Sequence, residues 1–289
     1  MTVFSGREAV AEFLAAFDGW LSESVTVSLL GGSAMTVQGL KDQTEDIDLA
    51  LHVASEFEHV YRVLRSQGFL VVDEPTASFE DVGTTVELQH DERGIQIDLF
   101  ERQVVGKVWI TDRMYDRATE FWTGDHTTAV VPADEDMFLL KAVSGGDLAS
   151  GRRRDIDDMR TYAQRGLDYE AILTEIDEQR PFNTGPTEAR QIRDRSHPLF
   201  AIEMAVSSLS GLPDAFTSRI ADFATEFEIE YTVLGAVDEG ITDVELIRER
   251  VRSTVRALSD AQNDAVDDAI DRLVAKQILD RDGEMVTRQ

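Results

Sequence analysis

The sequence predicts an α/β or α+β fold, a mixed sheet with helices, followed by a mostly helical C-terminal domain with a winged-helix-like end. Before residue 177, short apolar or alternating runs typical of strands are interleaved with amphipathic helical runs. Residues 177–186 contain two prolines and a glycine, which make a continuous helix improbable there. In this chain of 289 residues we therefore expect two domains, residues 1–180 and 187–289.

The predicted elements of the first domain alternate between helix and strand. In chain order they are a helix over 8–21, a strand over 25–30, a helix over 54–66, a strand over 69–72, a hairpin over 84–100 and a strand over 127–131. The hairpin is predicted because two alternating runs flank the turn-rich residues 91–94.

Two carboxylates follow a glycine pair at the end of the first long strand. Gly31 and Gly32 close that strand, and a dozen residues later the chain reads Asp46-Ile47-Asp48. Side chains two apart on a strand point to the same face, so both aspartates can converge on one cation. A buried type of strand rarely carries two unpaired carboxylates without a use.

A third carboxylate, Asp98, lies in the second run of the predicted hairpin. If that strand lies beside the one that bears Asp48, three carboxylates line one pocket. Such a hard oxygen environment suits Mg²⁺ or Mn²⁺. The alternative is that these are solvated acids on the surface of a chain with 56 Asp and Glu residues, and that the glycine pair is only a tight turn.

The order of Gly31-Gly32-Ser33, Asp46-x-Asp48 and Asp98 resembles the nucleotidyltransferase fold of the polymerase-β-like superfamily. A helix that carries Lys141, and then the run Arg152-Arg153-Arg154-Asp155-x-x-Asp158, resemble its AbiEii/MenT-type and minimal nucleotidyltransferase branch. The resemblance covers residues 22–175, and the combination is more specific than any one of its parts.

This resemblance implies a Mg²⁺- or Mn²⁺-dependent transfer of a nucleoside monophosphate from an NTP to an acceptor hydroxyl. It implies a site in which Asp46, Asp48 and Asp98 bind metal, Gly31, Gly32, Ser33, Thr44 and Lys141 bind the nucleotide, and Asp158 supports the site with Asp155 as the other acid of that motif. The acceptor could be the 3′ end of a tRNA, in a toxin that has an antitoxin partner. The arginines at 152–154 form a dense basic patch that could hold RNA.

Several readings stay open at the sequence level. Members of that branch often carry an arginine two residues before the threonine, where this chain has Asp42, and the nearest cation is Lys41. Either the loop is shifted by one residue or a phosphate contact is missing.

Lys141 could be a lysine whose stem lies on apolar surface, and Asp158 could pair with Arg154 one helical turn away. The whole module could also be non-catalytic and regulatory, or could act on a protein or small-molecule acceptor.

Composition points to where the protein works. The formal net charge of −28 disfavours ordinary binding to nucleic acid or anionic membranes. Few lysines and many aspartates suggest a cytosol with high salt and a halophilic archaeal source. There is no cysteine, so thiolate zinc sites and disulfides are excluded. With no signal-peptide pattern and no long apolar run, we expect a soluble, cytoplasmic protein.

The last part of the chain has a winged-helix-like order. Helices are predicted over 243–258 and 263–276, followed by a short hairpin about residues 282–283. The second of these helices carries four aspartates against Arg272 and Lys276, an unfavourable set for approaching phosphates. The pattern therefore favours a domain for dimerisation or for shaping a substrate cleft over DNA binding.

Overall fold

The computed structural model describes residues 2–73, 85–104, 108–145, 153–179, 198–255, 263–275 and 277–288. The chain divides into two compact units, which are described separately below. One unit consists of Met1–Ser144 and Arg152–Asp168, and the other of Gly145–Gly151 and Tyr169–Gln289.

A seven-stranded mixed sheet forms the centre of the first unit. Its strand order is β10-β11-β2-β4-β7-β6-β5. These strands are β2 (Val25–Leu29), β4 (Asp46–Leu51), β5 (Leu70–Asp73), β6 (Thr85–His90), β7 (Ile95–Glu101), β10 (Thr119–Thr123) and β11 (Thr127–Val131). Two short pairs accompany the sheet, β1 (Phe4–Ser5) with β3 (Gln43–Thr44) and β8 (Gln103–Val104) with β9 (Val108–Trp109).

The register of the central strands decides which side chains share a face. Strand β4 is antiparallel to β2 on one side and parallel to β7 on the other. Asp48 lies directly beside Asp98 in the parallel pair, and Glu87 of β6 lies opposite Asp98 in the antiparallel pair. Alternate residues of β4, among them Ile47 and Leu49, are fully buried. The sheet therefore presents its acids on one face and its largest aliphatic side chains on the other.

Six helices in the described part of the chain belong mainly to this unit. They are α1 (Gly6–Asp18), α2 (Gly31–Val37), α3 (Ala54–Ser66), α4 (Asp112–Asp116), α5 (Asp134–Gly145) and α6 (Arg153–Ala163). Helices α1 and α3 each bury one stripe at helical spacing, Val10, Phe13, Leu14 and Phe17 in α1 and Phe57, Val60 and Leu64 in α3. These stripes supply the apolar side chains that the strands need for a core.

The carboxylate of Asp18, at the end of α1, caps the turn between β10 and β11. It accepts backbone N–H bonds from Asp125 at 3.1 Å, His126 at 2.8 Å and Thr127 at 2.7 Å. Although partial burial alone would raise the pKa of Asp18, these three donors outweigh it and hold the pKa below its ordinary value. The contact fixes β11, which pairs with β2, the strand that leads into the glycine pair.

In the residues that the structure describes, the second unit is helical except for one hairpin. Its elements are α7 (Tyr169–Gln179), α8 (Pro198–Ser207), α9 (Asp214–Asp238), α10 (Val244–Thr254), α11 (Asn263–Ala275), β12 (Leu279–Asp282) and β13 (Met285–Arg288). One apolar cluster joins the last half of α9 to α10, α11 and the hairpin. A single bridge from Asp243 to Met285 ties the start of α10 to the hairpin.

Arginines neutralise much of the acidic surface of α11. Arg248 of α10 pairs with Asp267 at 2.6 Å, and Arg281 of the hairpin pairs with Asp267 at 3.2 Å and Asp271 at 2.9 Å. Within α11 itself, Arg272 reaches back to the buried Glu230 of α9 at 2.6 Å. These pairs connect the elements of the second unit to one another.

The predicted fold class, a mixed sheet with helices followed by a mostly helical end, is confirmed. The hairpin predicted over 84–100 is β6 and β7, and the helix predicted over 8–21 begins and ends slightly earlier, as α1. Residues 177–186 are predicted to interrupt the helix, but the first three of them still belong to α7, which ends at Gln179. The rest of them lie outside the described residues.

Among the described residues, no helix combines the length and the apolar character that crossing a bilayer requires.

Substituting Asp18 tests the link between α1 and the sheet. We expect Asp18→Ala to lower the free energy of unfolding by about 2 kcal/mol, because three backbone N–H groups lose a charged acceptor. Denaturant unfolding measures this. The control is Asp125→Ala, which removes an equal charge from the same turn but leaves the three bonds in place. An equal loss in both variants would contradict the capping role.

Candidate metal centre

Three carboxylates meet on the polar face of the sheet. One oxygen from each of Asp46, Asp48 and Asp98 lies within 4.8 Å of the other two. Asp46 and Asp48 are two residues apart on β4, and Asp98 is in register with Asp48 on the parallel neighbour β7. All three side chains are partly buried. The strand ladder alone therefore places them at one point.

This crowding makes one of the acids hard to ionise. Burial, together with repulsion from Asp46 and Asp98, raises the pKa of Asp48 to about 8. The charge of Lys141 and a hydrogen bond donated by the backbone N–H of Gly32 oppose that rise without cancelling it. A divalent cation bound between the three carboxylates would offset their repulsion, because its charge is opposite to theirs.

Neither Gly31 nor Gly32 leaves room for a larger residue. Gly31 has a φ of +51°, and a Cβ there would lie 1.9 Å from Oδ2 of Asp48. A Cβ on Gly32 would lie 2.4 Å from Oγ1 of Thr44. Both distances are far below van der Waals contact. At the glycine pair the backbone therefore lies very close to the side chains of Asp48 and Thr44, in addition to forming a turn.

The hydroxyl groups around the acids are engaged in local hydrogen bonds. Thr44 donates to Oδ1 of Asp46 at 2.9 Å. Ser33 is fully buried and donates to the carbonyl of Leu30 at 2.8 Å. In this structure Thr44 and the N–H of Gly32 thus orient the carboxylates, while Ser33 stabilises the loop. The phosphate contacts predicted for Gly31, Gly32, Ser33 and Thr44 remain predictions.

Lysines and aspartates form a second cluster next to the acids. Lys141 of α5 contacts Asp155 at 2.7 Å and Asp158 at 2.9 Å, both on α6. Lys41, between α2 and β3, contacts both oxygens of Asp158 at 2.8 Å. Burial alone would lower the pKa of Lys141, but the two carboxylates outweigh it and raise the pKa above its ordinary value. Asp158 thus pairs with two lysines, and not with Arg154 as the sequence had left open.

Two residues at this site were not assigned from the sequence. In the sequence, Lys41 is only the cation nearest to the place of an expected arginine, and its pairing with Asp158 crosses 117 positions of sequence. Glu87 lies opposite Asp98 and shares its face of the sheet. The alternation in Thr85–His90 was the signal that could have placed Glu87 on the same face as the hairpin's aspartate.

The predicted basic patch at 152–154 is described only in part. Arg153 and Arg154 are exposed at the start of α6, and Arg152 lies outside the described residues.

The donor set fits a divalent cation. Carboxylate oxygens are the ligands that Mg²⁺ and Mn²⁺ prefer. Burial, with repulsion from Asp46 and Asp98 added, raises the pKa of Asp48, and a cation beside this carboxylate would favour its charged form. Asp46, Asp48 and Asp98 would hold the ion.

Comparison with known proteins gives partial structural likenesses. No protein-family model matches the chain, and no curated protein matches it. A candidate nucleotidyltransferase from Thermotoga maritima is 18% identical, with a TM-score of 0.35, over 55% of this chain and 96% of its own. The protein JHP933 from Helicobacter pylori is 12% identical, with a TM-score of 0.34, over 76% of this chain and 96% of its own.

The pKa of Asp48 predicts an unusual pH dependence. Between its ordinary pKa of 3.8 and about 8, the folded chain holds a proton that the unfolded chain has lost. Stability contributed by this group is therefore present at low pH and is lost as pH rises through that window. We expect Asp48→Asn, which cannot ionise, to raise the melting temperature relative to wild type by several degrees more at pH 9 than at pH 5, in metal-free buffer.

Added Mn²⁺ provides the internal control for that measurement. It should stabilise the wild type at pH 9 and close the gap to Asp48→Asn, because the cation compensates the ionised acid. A gap between the two proteins that is the same at both pH values would contradict the raised pKa.

The glycine pair predicts a matched comparison. Gly31→Ala should cost about 1–3 kcal/mol more than Gly39→Ala, because both sites have positive φ but a Cβ at Gly39 has nothing within 4 Å. Gly31→Ala should also lose Mn²⁺ binding by calorimetry, since the new methyl displaces Asp48. Equal stability losses and retained Mn²⁺ binding in both variants would show that the close approach is unimportant.

Proposed function

We propose that this protein is a Mg²⁺-dependent nucleotidyltransferase that moves a nucleoside monophosphate from an NTP to an acceptor hydroxyl and releases pyrophosphate. The observation that carries the proposal is the convergence of Asp46, Asp48 and Asp98 beside a glycine pair with no space for side chains. The sequence resemblance to polymerase-β-like nucleotidyltransferases also supports it.

Each group of the site has a distinct part in this reaction. The acceptor oxygen forms a bond to the α-phosphorus of the NTP, and the bond between the α- and β-phosphates breaks to release pyrophosphate. When bound, the cation supplies charge compensation to the phosphate oxygens. Asp46, Asp48 and Asp98 would hold this cation, and Asp98 would also draw the proton from the acceptor hydroxyl. The absence of side chains at Gly31 and Gly32 lets the backbone lie close to Asp48 and Thr44, which keeps the carboxylates in place for the cation.

Positive charge next to the acids favours the phosphates. Lys141 is close enough to Asp48 to affect its pKa, so it contributes an attractive potential where the triphosphate is expected. Asp155 and Asp158 hold the ammonium group of Lys141 in place. Their role is to orient the lysine, in agreement with the supporting role that the resemblance implies for Asp158.

The identity of the acceptor is the more specific part of the proposal. The resemblance implies the 3′ end of a tRNA and a toxin with an antitoxin partner, and the exposed Arg153 and Arg154 could contact an RNA backbone. A protein or a small molecule with a hydroxyl group is the other acceptor class. The carboxylates, glycines and lysines described above would serve either class in the same way.

A transfer assay tests the proposal. Purified protein is incubated in molar KCl with Mg²⁺, each labelled NTP in turn, and small RNA, a protein extract or a mixture of small hydroxyl compounds. We expect label on one acceptor class, and a loss of at least about 1,000-fold in Asp46→Ala/Asp48→Ala, because charge compensation worth several kcal/mol is removed.

The matched control is Asp264→Ala/Asp268→Ala, which removes two exposed acids from α11 and leaves the site untouched. It should transfer at the wild-type rate. Transfer that survives in Asp46→Ala/Asp48→Ala would overturn the site assignment. NTP binding without transfer to any acceptor would favour a non-catalytic regulatory module.

A further inference from the structure

The polar face of the sheet continues beyond the three acids. Strands β4, β7, β6 and β5 are neighbours in that order, and residues that lie opposite one another on adjacent strands share a face. One row across this face consists of Asp46, Gln96, Gln89 and Leu70. The next row contains Asp48, Asp98 and Glu87. The set that runs from the metal centre to the edge strand, here called the β7–β5 strip, is Gln96, Gln89, Glu87 and Leu70.

The side chains of the β7–β5 strip are open to a ligand. Glu87, Gln89 and Gln96 are half-buried, and Leu70 at the edge is 53% exposed. Within the part of the chain that the structure describes, the side chains of Glu87, Gln89 and Gln96 form no hydrogen bond or ion pair. Each glutamine amide has two N–H donors and a carbonyl acceptor, whereas an ionised glutamate only accepts. These groups are therefore available to bind a molecule placed beside Asp98.

Positive charge is gathered on the other side of β4. Lys41 follows α2, and it shares Asp158 of α6 with Lys141 of α5. Gln38, next to α2, donates to Asp134 of α5 at 3.1 Å, which holds α5 beside α2. Helix α2 follows β2, and β2 and β7 lie on opposite sides of β4. Since the β7–β5 strip contains no Lys, Arg or His, the two sides of the metal centre differ in charge.

The reaction geometry points the acceptor towards the β7–β5 strip. In an in-line displacement, the attacking oxygen and the leaving phosphate lie on opposite sides of the α-phosphorus. The proposed function places the triphosphate beside Lys141, so the acceptor hydroxyl approaches from the side of Asp98 and β7. From there the strip extends over two strand spacings, about 10 Å. This length fits a small molecule better than a long polymer.

We propose that the acceptor lies on the β7–β5 strip and is a small polyhydroxyl compound that carries positive charge and no phosphate. Glu87 pairs with its cationic group, and Gln89 and Gln96 form hydrogen bonds with its hydroxyl groups. This inference rests on the proposed function. One acceptor oxygen bonds to the α-phosphorus, its proton passes to Asp98, and the bond to the β-phosphate breaks to release pyrophosphate.

The charge of the strip favours a cation over RNA. An ammonium group beside Glu87 forms a charge-assisted hydrogen bond, which is stronger than a neutral one. Every nucleotide of an RNA strand carries a phosphate, which Glu87 and the net charge of −28 repel. At the end of the strip, the exposed Leu70 offers an apolar contact to the carbon skeleton of a sugar-like compound.

Two trisaccharides with the same backbone test the preference for positive charge. In the presence of Mg²⁺ and labelled NTP, the wild type receives a trimer of glucosamine, or cellotriose, which has hydroxyl groups in place of the amines, or small RNA. We expect kcat/KM to be at least about 10-fold higher for the glucosamine trimer than for cellotriose, as expected for one charge-assisted hydrogen bond. RNA should receive no label.

Substitutions on the strip test which side chains read the acceptor. Glu87→Gln should lower kcat/KM for the glucosamine trimer about 10-fold, chiefly by raising the KM of that trimer, because a charged partner is lost. Its kcat/KM for cellotriose and its KM for NTP should stay the same. The double variant Gln89→Met/Gln96→Met should raise the KM of both trimers, because it removes the amides that bind hydroxyl groups.

The matched control is Glu92→Gln, which removes an equal charge from the exposed turn between β6 and β7. It should keep the preference of the wild type. Mn²⁺ binding followed by electron paramagnetic resonance should be retained in Glu87→Gln, which shows that the three acids remain in place.

The outcomes separate this inference from the proposed function. If Glu87→Gln and Glu92→Gln show the same preference, the role of Glu87 is overturned. If label goes to RNA, to a protein or to an uncharged compound in preference to cationic ones, the acceptor class is overturned while the proposed function stands. If no acceptor of any class is labelled, the proposed function fails, and this inference with it.

Discussion

The arrangement of the first unit depends on holding three carboxylates at one point. Burial, together with repulsion from Asp46 and Asp98, raises the pKa of Asp48 to about 8, so the three groups resist being charged together. Flexible loops would let such groups move apart. Two adjacent strands cannot, because each backbone is fixed by its ladder of hydrogen bonds and by buried aliphatic neighbours such as Ile47 and Leu49. The sheet thus keeps together three carboxylates that a cation could bind.

The surrounding groups prepare the acids before any ligand arrives. Thr44 and the N–H of Gly32 orient two of the carboxylates, and the absence of a side chain at Gly31 leaves Asp48 room to sit against the backbone. Preorganised groups of this kind cost no rearrangement when charge develops. Lys41 and Lys141 come from distant parts of the chain, and both form ion pairs with Asp158. One half of the site is therefore local in sequence and the other half is assembled by the fold.

This difference explains what could be read from the sequence. The position of Asp46 beside Asp48 follows from the period of a strand, and Asp98 could be added because its own run alternates in the same way. The pairing of Lys41 with Asp158 has no such local signal, since it depends on how α6 packs. The hydrogen bonds that Gly32 and Ser33 donate within the protein could not be predicted either, because a glycine-rich loop can direct its donors to a ligand, to a nearby acid or to its own backbone. The end of α7 could not be predicted because its last residues, among them the buried Gln179, are polar and therefore typical of a loop.

The parallel register between β4 and β7 also limits where residues can be inserted into or deleted from this chain. Side chains alternate across a strand, so a slip of one residue in β7 would carry Asp98 to the aliphatic face and bring a leucine or isoleucine to the acids. The four residues between β6 and β7 help to set that register, although none of them is part of the metal centre. Insertions and deletions in this short turn should therefore be rarer than its exposed position suggests, except where a β-bulge absorbs the added residue.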